Sequence, residues 1–232
     1  MKNFKALIIA VLIIACGMLA TSCKSSIKTD TAESLKKLTD CLNLTKGVNS
    51  VEAEAVSISK GGGQSVDLKM NMKAEDIKSN LKCMVTMDLA GEHQEFYLGI
   101  VNGEASIYMK DDSGKYTVNS ADSSELGEMD IMRSFSAYIE IIEKNPEMIS
   151  KTEDNKYELK IPEEKSTEIY SKITGKDSAY KFESLMVDFV IGEDGYLKNV
   201  IVKASTSSLN LEIDTKYFNY NKKFNIKLPE VS

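Results

Sequence analysis

The sequence predicts an α+β fold in which one antiparallel sheet, dry on a single face, is covered by a few helices. Three observations carry this. Apolar residues alternate with polar ones at period two over most of residues 51–119 and again after 179, which is the pattern of strands with one buried face. Turn-forming clusters fall between the alternating runs at hairpin spacing. Two or three stretches instead repeat at three and four residues, the period of amphipathic helices.

Taken in order, Asp30 reads as a helix N-cap with Glu33 completing a capping box. Leu35, Leu38, Cys41 and Leu42 then share a face, predicting a helix over 31–44. The next runs are Val66, Leu68, Met70 and Met72, then Leu81, Cys83, Val85, Met87 and Leu89, then Phe96, Leu98 and Ile100. Turns are expected at Gly61-Gly62-Gly63, Ala90-Gly91-Glu92-His93, Asn102-Gly103 and Asp111-Asp112-Ser113-Gly114, giving a meander of about six strands to residue 119. From Ser123 the period changes. Leu126, Met129, Met132, Phe135, Tyr138, Ile139 and Ile142 mark the longest helix, stopped by Asn145-Pro146. A short strand around Tyr157, Leu159 and Ile161 precedes a helix over 163–174, started after Pro162 and closed at Gly175. Strands over 179–191, 196–205 and 208–218 finish the pattern. No repeat or low-complexity linker divides residues 31–232, so they read as one domain.

The first residues are of another kind. Lys2 and Lys5 lead an unbroken apolar run, Ala6 to Ala15, and small residues Ala20-Thr21-Ser22 precede Cys23. This is a secretory signal peptide over 1–22, its apolar core shorter than the ~20 residues a membrane-spanning helix needs. Leu19 to Cys23, LATSC, resembles a bacterial lipobox, in which cleavage exposes a cysteine carrying diacylglycerol. Cys16 after Ile13-Ile14-Ala15 also fits the pattern, but cleavage there would leave apolar Gly17 to Ala20 on the mature chain. Cys23 is therefore the expected lipidation site, residues 23–30 a short polar tether, and the membrane a partner through acyl chains, two of which hold a protein stably on a bilayer.

Loss of residues 1–22 removes two lysines and no acids, leaving 27 basic and 35 acidic side chains. That net charge of −8 makes nucleic acid a poor partner. With Cys16 lost in the signal and Cys23 taken by the lipid, only Cys41 and Cys83 of the four cysteines remain as thiols. Export permits a disulfide between them, and the alternative is two buried thiols on apolar faces. With a single histidine, His93, in an expected hairpin turn, and no nucleotide-loop or nucleophile-elbow motif, the sequence predicts no metal site, no cofactor and no catalytic residues.

The order of elements, from lipidated cysteine through short helix, long meander, helical insertion and three-strand return to the closing FNYNKKFNIKLPE (Phe218 to Glu230), resembles the LolA and LppX carriers. The resemblance implies a strongly curved antiparallel sheet, an open half-barrel, whose mouth is plugged by helices and whose gap holds acyl chains. The expected ligand is a lipid or lipoprotein. The cavity wall would be Leu68, Met70, Leu81, Val85, Met87, Phe96, Leu98, Ile100, Met129, Met132 and Phe135, methionine being suited to variable apolar ligands. The other reading is a surface interaction module or envelope scaffold without a ligand, using Tyr97, Tyr108, Tyr116, Tyr217 and Tyr220 as an aromatic patch. If Cys23 is the anchor, Cys23→Ser abolishes metabolic incorporation of labelled fatty acid into the protein; label kept in Cys23→Ser and lost in Cys16→Ser would assign the other cysteine.

Overall fold

In a computed structural model, residues 31–101, 104–111, 113–121, 132–174, 178 and 180–231 are described. Cys23, Asp30, Leu126 and Met129 lie outside them, as do Asn102-Gly103 and Gly175. Helix α1 (Thr31–Lys46) precedes a six-strand meander: β1 (Val51–Gly61), β2 (Gln64–Glu75), β3 (Lys82–Leu89), β4 (Glu92–Val101), β5 (Glu104–Lys110) and β6 (Tyr116–Ala121). Helix α2 (Arg133–Lys144) and a short 3₁₀ turn lead to β7 (Ile149–Glu153) and β8 (Lys156–Ile161). Helix α3 (Glu163–Thr174) and strands β9 (Ser184–Ile191), β10 (Leu197–Ser205) and β11 (Leu209–Phe218) complete the order.

All eleven strands form one antiparallel sheet in the order β6-β5-β4-β3-β2-β1-β11-β10-β9-β8-β7. Each half is a meander of sequence neighbours. The halves are joined where β1 pairs with β11, from Glu52 opposite Phe218 to Gly61 opposite Leu209. Strands β6 and β7 remain as edges, so the curved sheet is open, as the expected half-barrel requires.

The local chemistry explains the elements. In α1, Leu38, Cys41 and Leu42 are buried on one face, and Gly47 ends the helix by donating its N–H to the carbonyl of Asn43 at 3.0 Å. In α2, Phe135, Tyr138, Ile141 and Ile142 are buried, and Asn145 stops it with both backbone N–H and side-chain Nδ2 on the carbonyl of Ile141. The β3–β4 hairpin is tighter than the sequence suggested. Its turn is Ala90-Gly91 alone, with φ of 52° and 88°, so Glu92 already pairs with Leu89 and His93 with Asp88. His93 is therefore a strand residue, its Nδ1 2.8 Å from the Asp88 carboxylate on the exposed surface. Two further expectations are corrected. Strand β7 was not foreseen, because Ile149-Ser-Lys-Thr-Glu has a single apolar residue and occupies a sheet edge. The strand expected from 179 begins at Ser184, since Phe182 is instead buried in the preceding loop with its ring 4.3 Å from that of Tyr170.

The residues after β11 bind the sheet without joining it. Asn219, Asn221 and Asn225 all adopt positive φ, a conformation asparagine tolerates better than most residues. These reversals bring the tail around the start of β1, where Ser50 Oγ donates to the carbonyl of Lys222 at 2.6 Å. The tail then meets the buried carboxylate of Glu75, which accepts the backbone N–H groups of Phe224, Asn225 and Ile226 at 3.0, 2.9 and 2.8 Å. Leu228 ends over Gly99 of β4, so close that a Cβ there would lie 2.5 Å from the leucine side chain. Gly99 alternates with inward Leu98, which places this part of the tail on the outer face. Hydrogen bonds to a charged acceptor contribute roughly 1.5–3 kcal/mol each, and orphaned buried donors are costly. Glu75→Ala is expected to destabilise the fold by about 2–4 kcal/mol in urea unfolding and to expose residues 219–231 to limited proteolysis.

Candidate functional site

Of the eleven residues expected to wall a cavity, ten lie in the described structure. Leu68 and Met70 are on β2, Val85 and Met87 on β3, and Phe96, Leu98 and Ile100 on β4. Leu81 stands just before β3, tied to β4 by its carbonyl, which accepts the N–H of Ile100 at 2.8 Å. The register sets these residues side by side: Met70 opposite Met87, and Val85 between Met72 and Phe96. Met132 and Phe135 come from α2 and its cap. Nine of the ten are buried in one continuous apolar cluster, with Ile100 half-buried against it.

The rows of this face run on through the β1–β11 junction. Tyr157, Phe189, Val200, Thr215, Ala55, Met70 and Met87 form one such row across seven adjacent strands. Side chains are large at both ends and small in the middle. One row away on either side β1 again contributes a small residue, Ala53 opposite Tyr217 and Ser57 opposite Ile213. A strip of small side chains, here the trough, thus runs along β1: Ala53, Ala55 and Ser57, with Thr215 beside Ala55, flanked on one side by Met70 and Met72. At ~3.3 Å per residue, the span from Ala53 to Ser57 is about 13 Å. Helix α2 crosses one end of it: Phe135 meets Tyr217 edge-on with centroids 5.5 Å apart, and Tyr138 meets Phe189 at 5.1 Å. Sequence reading missed the trough floor, because alanine and serine carry little signal by themselves.

The other candidate features resolve differently. Tyr97, Tyr108 and Tyr116 do gather, on the outer face, since Tyr97 pairs with Tyr108 and lies 5.8 Å from the Tyr116 ring. The Tyr116 hydroxyl donates to Glu95 Oε1 at 2.5 Å, and Lys110 Nζ sits 5.2 Å above the same ring. Burial and then the neighbouring Glu95 carboxylate push the Tyr116 hydroxyl above the usual phenol range, so it stays protonated. Tyr217 instead faces inward and is buried, and Tyr220 stacks on Tyr196 at 4.6 Å, so the five tyrosines form no single patch. A groove of about 830 Å³ beside that stack is lined by Asp154, Asn155, Asp194 and Asn219 among others. These polar groups already serve the fold: Asp154 accepts from Lys151, Asn155 from Lys37, Asp194 from the N–H of Tyr196, and Asn219 donates to Glu52.

Cys41 and Cys83 are buried free thiols, and burial pushes both up to about 12, which leaves them protonated and unreactive at neutral pH. Among the described residues no group of three histidine, cysteine or acidic side chains is placed to hold a metal ion. Among the same residues no helix is long and apolar enough to cross a membrane.

No protein-family model matches the sequence, and no curated protein matches it either. Solved structures do. LprF from Mycobacterium bovis is similar at 13% identity and a TM-score of 0.52, over 89% of this chain and 99% of that one. The lipoprotein LppX of Mycobacterium tuberculosis is similar at 14% identity and a TM-score of 0.49, over 86% of this chain and all of that one. At such identities the likeness speaks for the fold alone, and in fold this chain, one open antiparallel sheet with helices against its dry face, resembles LprF.

Proposed function

We propose that this chain is an exported lipoprotein, anchored to the membrane by acyl chains on Cys23, whose domain binds a lipid or similar apolar ligand between sheet and helices. The observation that carries the reading is the trough along β1, a strip of small side chains set into a face otherwise built of large ones. An extended acyl chain fits such a strip by shape. The flanking Met70 and Met72, with Met87 beyond them, supply flexible side chains that adapt to chains of different length. Leu68, Leu81, Val85, Phe96, Leu98 and Ile100 extend the wall from the meander, and Met132 and Phe135 close it from α2. The fold shared with LprF supports the reading, as does LATSC followed by polar Lys24-Ser25-Ser26.

In the described residues this face is closely covered, Val85 and Phe96 being almost wholly shielded. A ligand therefore enters by displacing side chains or the covering helices, as soft apolar sites permit.

The test places a ring in the trough. Ala55→Phe is expected to lower the amount of lipid bound to the purified full chain at least tenfold, read by native mass spectrometry, while the melting temperature moves by only a few degrees. A parent that binds no lipid, together with destabilisation of Ala55→Phe by the ~1–3 kcal/mol typical of an overpacked core, would show the face to be structural only.

A further inference from the structure

The strip along β1 is covered at one end and open at the other. Ala53 and Ala55 are each 4% exposed, and Ser57 beyond them is also buried. One inward step further the cover ends: Ser59 is half-buried, as is Leu211 opposite it on β11, and Val66 opposite it on β2 is 49% exposed. Val66 shares the inward side of β2 with Leu68, Met70 and Met72, so its exposure belongs to the dry face and not to the outer one. The register explains the opening. Strand β3 pairs with β2 no further than Leu89 opposite Leu68, which leaves Val66 without a strand on that side.

The loops at this end share a second property. Gly61 to Val66 and Ala204 to Leu211 contain no charged residue, in a chain of which 28% is charged. The pairing of β1 with β11 sets the two hairpins side by side, so close that a Cβ on Gly61 would lie 2.6 Å from the carbonyl oxygen of Ser208. Both loops line an open groove of about 530 Å³, in which Lys60 is the one charged residue and the rest are glycines, hydroxyls and amides. Anionic headgroups hold off an acidic surface, and charged side chains resist removal from water. An uncharged tip meets neither obstacle.

Resting on the lipid-binding reading above, we propose that this end is the portal of the strip: the uncharged hairpins meet a bilayer surface, and one acyl chain of a bilayer lipid passes over Val66 and Leu211 and runs along β1 toward Ala53. The far end is covered, with Val51 fully buried and Phe135 set against Tyr217, the partner of Ala53. Continuity commits the portal to an acyl chain. Val66, Leu211 and the buried strip lie on one face in one register, an apolar path from the surface to the interior. A polar solute gains nothing from such a path.

Lipid uptake from vesicles tests this. The full chain is diluted from micelles into dioleoylphosphatidylcholine vesicles containing a phosphatidylcholine with a pyrene-labelled acyl chain, and loss of excimer emission beyond that of a protein-free control reports uptake. Val66→Cys is modified with a polyethylene glycol attached through a disulfide, for which the buried Cys41 and Cys83 do not compete. Unmodified Val66→Cys should match the parent. With the polymer in place the initial rate should fall at least tenfold at an unchanged melting temperature, and reductant, by releasing the polymer, should restore it. The same polymer on Val118→Cys, exposed on the outer face opposite Tyr108, should leave the rate unchanged. An unchanged rate with the polymer at position 66, or equal slowing from both positions, would overturn the portal while leaving lipid binding intact. No uptake by the parent would remove the lipid-binding reading and the portal with it.

Discussion

The architecture depends on one non-local pairing, β1 against β11, which runs in unbroken register from Glu52–Phe218 to Gly61–Leu209. Without it the chain would be two meanders of six and five strands, each with an extra exposed edge. Joining them makes a single sheet whose dry face is continuous from β7 to the far side of the meander, and it is the junction itself that carries the small side chains. The pairing is costly in chain entropy, because its partners are 148 to 166 residues apart, so contacts beyond the ladder must hold it. Hydrogen bonds between the two halves serve this end. Thr45 at the end of α1 accepts the N–H of Leu197, and Asn219 after β11 donates to Glu52 on β1.

The C-terminal tail works on the same junction from outside. It leaves β11 through three left-handed asparagines, passes the start of β1, gives three N–H groups to Glu75 at the end of β2 and lays Leu228 on Gly99 of β4. One segment thereby links the last strand to the first, second and fourth, which stiffens the curved sheet where it would otherwise hinge. On the inner face α2 does the complementary work, its aromatic residues bridging β11 and β9.

Chemistry that the fold does not employ is equally informative. The two thiols are held neutral by burial, and Tyr116 on the outer face is committed to Glu95 and Lys110. Several ion pairs join exposed side chains close in sequence, such as Lys36–Asp40 and Lys144–Glu140, and contribute little individually. What distinguishes the interior is its apolar surface.

The sequence by itself determined the elements whose signals are local. Period-two alternation located the strands of the first meander, Pro162 and the acids after it began α3, and Asn145-Pro146 ended α2, because hairpins, caps and amphipathic faces are set by residues a few positions apart. Most expected wall residues share the dry face for the same reason, since alternation fixes which side of a strand a residue takes. Only the tertiary structure decided the rest. That β1 lies beside β11 is a matter of register between distant segments, so the trough of Ala53, Ala55 and Ser57 was invisible while their neighbours were unknown. Glu75 looked like any surface acid until the tail arrived to use its charge, and β7, with one apolar residue, becomes a strand because β8 offers it a ladder.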